Sequence, residues 1–172
     1  MTVTVTVPEL NKLSSQQAAS WFEQACAAQG WIEQMVNARP YKSVSEITEY
    51  ARTAWANCTR EDYLEAFSAH PMIGDVDSLR EKFANTKAIA SNEQAGTANA
   101  SEQTLLALKE ANHAYLDRHG FIFIICASGL SADAMLAALQ ARIENSTDEE
   151  IKNAAAEQIK ITLLRLNKAL QE

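Results

Sequence analysis

The chain has 172 residues, 47% of them hydrophobic, and carries a formal net charge of −7 at pH 7. This length and apolar content are typical of one domain with one core. The acidic balance, with scattered Lys and Arg, argues against nucleic acid or an anionic membrane as a partner, and the longest apolar run, FIFIICA, is far too short to cross a bilayer.

The first residues, MTVTVTV, alternate as a strand does, but Pro8 follows and no hairpin partner comes after it. We therefore expect residues 1–7 to be a flexible tail and residues 8–172 to form a single domain. Three capping patterns of the S/T-x-x-E/Q type predict helix starts further along. They are Ser14 with Gln17, Ser43 with Glu46, and Thr147 with Glu150.

Apolar residues recur at helical spacing behind these caps, and also in a long predicted helix from about Ser101 to Arg118 that Gly120 ends. Ser131 is expected to cap a further helix before the last one. FIFIICA is strand-like, yet one strand without a partner cannot make a sheet. The prediction is an all-α, single-domain helical bundle with one extended segment at about residues 121–127.

The cysteines and two of the histidines give no sign of a metal site. Cys26, Cys58 and Cys126 are far apart and form no CxxC pair, so they are interpreted as buried apolar residues in a reducing compartment. His113 and His119 lack the spacing of a helical metal site and are expected at the surface. The first residues do not resemble a secretory signal, and KALQE is not a peroxisomal signal, so we expect a cytoplasmic location.

The stretch SAHPMIGD carries the first candidate for chemistry. Pro71 disfavours helical backbone at His70, so a helix must end there, and a histidine at a helix C-terminus is favoured as a cation. From the spacing alone, His70 is either a residue that merely ends the helix or a general acid or base held on a rigid elbow.

Two further positions carry polar groups that could serve a site. Glu93 and Gln94 lie together in SNEQAG, which is either a solvated loop or part of a site. Arg165 lies beside Leu166, at the edge of the apolar stripe of the last helix. Its stem can cover the core while its guanidinium either pairs with an acid or reaches inward.

Five segments together resemble the 2-oxo-4-hydroxy-4-carboxy-5-ureidoimidazoline (OHCU) decarboxylase family, in its order and spacing. This family supplies the third enzyme of the urate-to-allantoin pathway. The segments are CAAQGWIEQMVNARPYKS, AHPMIGD, SNEQAG, HGFIFIICA and ITLLRLNKAL.

The resemblance implies a carboxy-lyase that needs no cofactor and no metal, takes OHCU as its substrate, and forms a homodimer. It makes His70 and Glu93 catalytic, and it assigns substrate contacts to a larger set. Many relatives have a serine three residues before the glutamate, whereas here that position is Ala90 and the serine is Ser91. The substrate-contact set is Pro71, Ala90, Ser91, Gln94, Phe123, Ile125 and Arg165.

Two alternatives remain open at this point. One is a non-catalytic helical protein that binds a ligand or acts as an adaptor on the same fold. The other is a metal-assisted hydrolase built on His70, Glu93 and a distant acid such as Asp75.

Overall fold

A computed structural model describes residues 3–72, 77, 79, 80 and 97–172, leaving aside the side chains of residues 97–101. Helices dominate these ranges, which confirms the all-α prediction. In them lie α1 Val7–Lys12, α2 Ser15–Glu23, α3 Gln29–Asn37, α4 Val44–Ala56, α5 Arg60–Ser68, α6 Thr97–His119, α7 Ala132–Ile143 and α8 Thr147–Ala169. None of the helices described is both long and apolar enough to cross a membrane.

The chain forms two compact units: Met1–Ala69 with Asn153–Glu172, and His70–Lys152. The boundary between them falls within α8. In the first unit the apolar faces predicted for α2 and α4 are buried. Two indoles there donate hydrogen bonds to helix carbonyls: Trp31 Nε1 to Ala51 O at 3.1 Å and Trp55 Nε1 to Ala155 O at 2.9 Å. These bonds satisfy buried N–H groups that would otherwise be costly.

The beginning of the chain differs from the predicted loose tail. Strand β1, Val5–Thr6, pairs in parallel with strand β2, Leu170–Gln171. Thr6 caps α1 in a complete capping box with Glu9, and Trp21 Nε1 donates to Val3 O at 3.1 Å. Residues 3–7 are therefore held in place, and the prediction was wrong there because the partner strand lies at the far end of the chain.

The predicted helix caps are confirmed with one change of register. Ser14 forms a complete box with Gln17, and Ser43 accepts a hydrogen bond from the Glu46 N–H. The predicted box of Thr147 with Glu150 is wrong. Ser146 caps α8 one residue earlier: its Oγ accepts from the Glu149 N–H at 3.2 Å, and its own N–H donates to Glu149 Oε2.

The second unit contains α6, α7 and the first residues of α8. Gly120 ends α6 with a φ of +80°, a conformation that glycine adopts without strain, and its N–H donates to Leu116 O at 2.8 Å. Residues 122–127 follow with neither helix nor strand, as expected for an extended segment without a partner strand. Phe121, directly before this stretch, and Ile124 within it are buried. The apolar faces of α6 and α7 are buried as well and contribute Leu105, Leu108, Tyr115, Met135 and Leu139.

Val7 tests whether the beginning of the chain belongs to the core. Val7 is 3% exposed and Val3 is 51% exposed. We expect Val7→Ala to lower the free energy of unfolding by about 2 kcal/mol, because both methyl groups leave a cavity. Val3→Ala should change it by less than about 0.5 kcal/mol. Urea unfolding followed by circular dichroism makes the comparison. Equally small changes in the free energy of unfolding for the two variants would indicate that residues 1–7 form a loose tail.

Candidate active site

The His70–Pro71 elbow lies where α5 ends. Ala69 keeps helical angles (φ −79°, ψ −13°), and its N–H donates to Ala66 O and Phe67 O to close the last turn. His70 follows directly and is half-buried, while Pro71 is exposed. The helix therefore ends before the proline, as the restriction on the preceding residue predicts.

Arg165 lies on α8, half-buried, in the first unit. Its Nη1 donates to Ala25 O at 3.2 Å, while the hydroxyl of Thr162 donates to Gln158 O at 3.0 Å and lies 3.4 Å from Ala25 O. Gln158 Nε2 in turn donates to Thr162 Oγ1 at 3.1 Å. In the described residues the guanidinium hydrogen-bonds a carbonyl rather than an acid. This leaves most of its five donors for another partner.

Cys26 lies beside this arginine and is buried. Burial raises the pKa of its thiol from 9.0 to about 11, although the backbone of Ala28, the hydroxyl of Thr162 and the charge of Arg165 oppose the shift. Cys58, which is half-buried, has its pKa raised to about 12, chiefly by burial. The buried position predicted for the cysteines is thus confirmed for Cys26, while Cys58 and Cys126 are half-buried.

The extended segment presents unpaired backbone. Phe123 and Ile125 are half-buried, and in the described part of the chain no hydrogen bond reaches the N–H or C=O of either residue. Backbone groups that have no partner within the fold bind water or a ligand instead. These two residues therefore offer donors and acceptors that suit a polar ligand.

A buried charge cluster, which the sequence pattern does not indicate, lies next to the segment. Arg142 Nε donates to Glu150 Oε1 at 2.8 Å, and Arg142 Nη1 donates to Ile124 O at 2.7 Å. The phenol of Tyr115 donates to the same Glu150 oxygen at 2.6 Å. Burial and the neighbouring carboxylate raise the pKa of Tyr115, so its phenol stays protonated. Helical spacing did not predict a buried Glu150, because the same position also fitted a helix cap.

His119 is not a surface residue, contrary to the prediction, whereas His113 is exposed as expected. Its Nε2 donates to Ile143 O at 3.2 Å, and its Nδ1 lies 2.9 Å from Thr147 Oγ1. The one-residue shift of the α8 cap makes this possible, because Thr147 no longer caps the helix. His119 is thus part of the packing of the second unit.

The candidate residues fall into three groups. His70, Pro71, Phe123 and Ile125 belong to the second unit, and Arg165 belongs to the first. Ala90, Ser91, Glu93 and Gln94 lie outside the described residues, as does Asp75 of the metal-assisted alternative. In the ranges described, no three His, Cys, Asp or Glu side chains are grouped as metal ligands.

Known proteins similar to this chain belong to the family that the five segments resemble. The OHCU decarboxylase family model matches residues 11–167. The chain is 40% identical over 150 residues to the uric acid degradation bifunctional protein TTL of Arabidopsis thaliana, covering 86% of this chain and 45% of that protein. It is 27% identical over 163 residues to 2-oxo-4-hydroxy-4-carboxy-5-ureidoimidazoline decarboxylase of Haloferax volcanii, covering 94% of each.

A solved structure extends the comparison. The crystal structure of an OHCU decarboxylase in the presence of (S)-allantoin has a TM-score of 0.68 and 36% sequence identity to this chain, covering 87% of this chain and 96% of that one. The family model, the Haloferax relative and the solved neighbour are all named for decarboxylation, the reaction of a carboxy-lyase. The chain belongs to the OHCU decarboxylase family, and it spans less than half of the Arabidopsis relative but nearly all of the Haloferax one.

The pH dependence of Cys26 reactivity tests whether burial raises the pKa of its thiol. The pKa of its thiol is higher in the folded chain (about 11) than the ordinary 9.0, so the thiol favours folding below pH 9 and loses this contribution as the pH rises to about 11. At pH between 9.0 and 11, alkylation of Cys26 in the folded protein should still rise with pH. In urea it should level off just above pH 9, because the thiolate is the reactive form.

Peptide mapping by mass spectrometry follows Cys26 separately from the other two cysteines. The shape of the pH profile is informative because slow access lowers the rate equally at every pH. If the folded and unfolded profiles levelled off at the same pH, burial would not perturb this thiol.

Proposed function

We propose that this chain decarboxylates OHCU to (S)-allantoin during urate breakdown. The observation that carries the proposal is the family match over residues 11–167, which includes every candidate residue. The Arabidopsis relative is named for uric acid degradation, and the solved neighbour was crystallised with (S)-allantoin. No relative supports the alternative of a non-catalytic adaptor.

The reaction can run without a cofactor because the substrate provides its own electron sink. The bond from the ring carbon to the carboxylate breaks, carbon dioxide leaves, and the electron pair moves into the adjacent ring C=N, whose nitrogen takes a proton. The resulting enol loses its hydroxyl proton, and the carbon bearing the ureido group gains one. The net change replaces carbon dioxide by a proton, so the protein has to move protons and orient the substrate.

His70 is suited to the proton transfer. It is half-buried on an elbow that Pro71 stiffens, so its ring enters the site from a fixed backbone. An unperturbed imidazole titrates near neutral pH, which allows it to accept and return a proton at the hydroxyl of the reacting carbon. In this proposal Glu93 orients the imidazole or the ureido group. Delivery of the proton to one face gives a single allantoin enantiomer.

Arg165 is suited to hold a planar, oxygen-rich ligand. Its bond to Ala25 O fixes the guanidinium through one amino group, and the remaining donors form a planar fork. Binding a carboxylate that is about to leave stabilises the ground state more than the transition state and slows decarboxylation. We therefore place Arg165 at an oxygen that the reaction retains, in the ring or the ureido group.

The remaining contacts complete the substrate site. The backbone N–H and C=O groups of Phe123 and Ile125 pair with the ureido edge, which offers complementary donors and acceptors. By resemblance, four further residues line the site. Position 90 is alanine here where many relatives have serine, and in this proposal the neighbouring Ser91 supplies that hydroxyl. These four are Pro71, Ala90, Ser91 and Gln94.

We further propose that residues 8–172 act as one catalytic domain, as a homodimer in the cytoplasm, with no nucleic-acid partner. The family match runs through both compact units, which supports a single functional domain. The net charge of −7 argues against binding to a phosphate backbone. A monomer mass by light scattering would contradict the dimer.

The decisive experiment generates OHCU in place. Urate oxidase and hydroxyisourate hydrolase convert urate to the unstable intermediate, the protein is added, and circular dichroism follows the optical activity of the product. Wild type should form one allantoin enantiomer rapidly. His70→Ala should lose about 10²- to 10⁴-fold in kcat, the usual contribution of general acid–base catalysis, and Glu93→Gln should also be slower.

His113→Ala is the matched control, because His113 is an exposed histidine of the second unit and is not a candidate residue. A well-folded wild type that does not accelerate the spontaneous decay would overturn the proposed activity. Full activity in His70→Ala, with an unchanged far-ultraviolet spectrum, would remove the catalytic assignment alone.

Arg165 has its own expected signature. Arg165→Lys keeps the charge but loses the planar fork, so KM should rise about tenfold or more, with a smaller change in kcat. Arg52→Lys on the exposed face of α4 should leave both constants unchanged. Steady-state kinetics in the same coupled assay separates the two constants, and equal KM values for the two variants would exclude a substrate contact at Arg165.

A further inference from the structure

The carboxylate of Glu150 is fully buried, with 0% of its side chain exposed. Oε1 accepts hydrogen bonds from Arg142 Nε at 2.8 Å and from the Tyr115 phenol at 2.6 Å, and Oε2 accepts from Asn145 Nδ2 at 2.9 Å. A buried carboxylate is costly unless it is paired and hydrogen-bonded, and these three donors provide for both oxygens. The position of Glu150 is therefore tightly determined.

Arg142 connects this carboxylate to the extended segment. While its Nε binds Glu150, its Nη1 donates to Ile124 O at 2.7 Å, and its guanidinium carbon lies 4.5 Å from the centre of the Phe123 ring. The guanidinium thus holds the segment at a main-chain oxygen and at an aromatic face. Its side chain is only 14% exposed, so little water competes for these contacts.

The bond to Ile124 determines which edge of the segment stays available. In extended backbone the N–H and C=O of one residue point to one edge, and those of its two neighbours point to the opposite edge. Arg142 binds the edge formed by Ile124. In the extended conformation that the sequence predicts for this segment, the polar groups of Phe123 and Ile125 lie on the other edge, and nothing in the described ranges binds them.

We propose that Arg142, held by Glu150, is a positioning residue for the substrate. It fixes the extended segment through Ile124 and Phe123, so that the opposite edge is ready for the ureido group before the substrate arrives. This inference rests on the proposed function. It adds that affinity depends on an ion pair that does not itself touch the substrate.

Packing alone does not require this arrangement. A buried ion pair is often no more stabilising than apolar residues of similar volume, so stability is a weak reason to place one there. An ion pair does, however, fix the orientation of the guanidinium. Nε and Nη1 lie on a rigid plane, so a fixed Glu150 fixes the position of Ile124 O.

The test compares two variants that weaken the same cluster. Arg142→Lys loses the planar link to Ile124, whereas Asn145→Ala removes a donor from Glu150 and leaves that link intact. Both should lower the urea midpoint. Only Arg142→Lys should raise KM, about tenfold, with kcat within about threefold, because the loss is one of pre-organisation.

Binding of (S)-allantoin by titration calorimetry gives a readout that does not need turnover. Its affinity should fall about tenfold in Arg142→Lys and stay at the wild-type value in Asn145→Ala. If Arg142→Lys does not fold, Glu150→Gln serves instead, since its amide oxygen can still accept from Nε, and a smaller rise in KM is expected.

The outcomes separate this inference from the proposed function. If wild type turns over OHCU but Arg142→Lys keeps the wild-type KM, or Asn145→Ala raises KM equally, the positioning role is overturned and the proposed function stands. If wild type shows no turnover and no binding of (S)-allantoin, the proposed function itself is wrong, and the positioning role fails with it.

Discussion

The second unit depends on one buried negative charge. Because the carboxylate of Glu150 is excluded from water, it must be surrounded by donors, and those donors come from α6, from α7 and from the turn that follows it. Tyr115, Arg142 and Asn145 are thereby brought to one point. Loss of any of these donors leaves charge or lone pairs unsatisfied, so each of them contributes to the stability of the second unit.

Side chains that bind main-chain carbonyls recur through the molecule. Ile124 O is bound by Arg142, and Ala25 O is bound by Arg165. Both carbonyls lie in connections between helices, where no regular ladder satisfies the backbone. An all-α protein with few regular strands thus depends on long polar side chains to hold its irregular segments.

The sequence predicted local features well and distant ones poorly. Helical faces, the Ser14 and Ser131 caps, the stop at Gly120 and the elbow at His70 each depend on residues within one or two turns. The loose tail failed because the partner of β1 is β2, at the other end of the chain. The Thr147 cap and the surface position of His119 failed together, because a shift of one residue turns Glu150 and Thr147 inward.

By itself, then, the sequence determined the helical class, most helix ends and, through its joint motifs, the family. The helical class and the helix ends follow from short-range sterics, capping and periodicity, which act between neighbours in the chain, whereas the family follows only from the resemblance of the five segments. Only the tertiary structure decided that Glu150 is buried rather than a cap, that Arg142 holds the extended segment, and that Arg165 binds Ala25 O. By spacing alone Glu150 fits a helix cap, Arg142 fits a solvated helix face, and Arg165 fits either an ion pair or an inward contact. The choice between solvent and interior depends on donors and acceptors that the fold brings from as far as 140 positions along the chain.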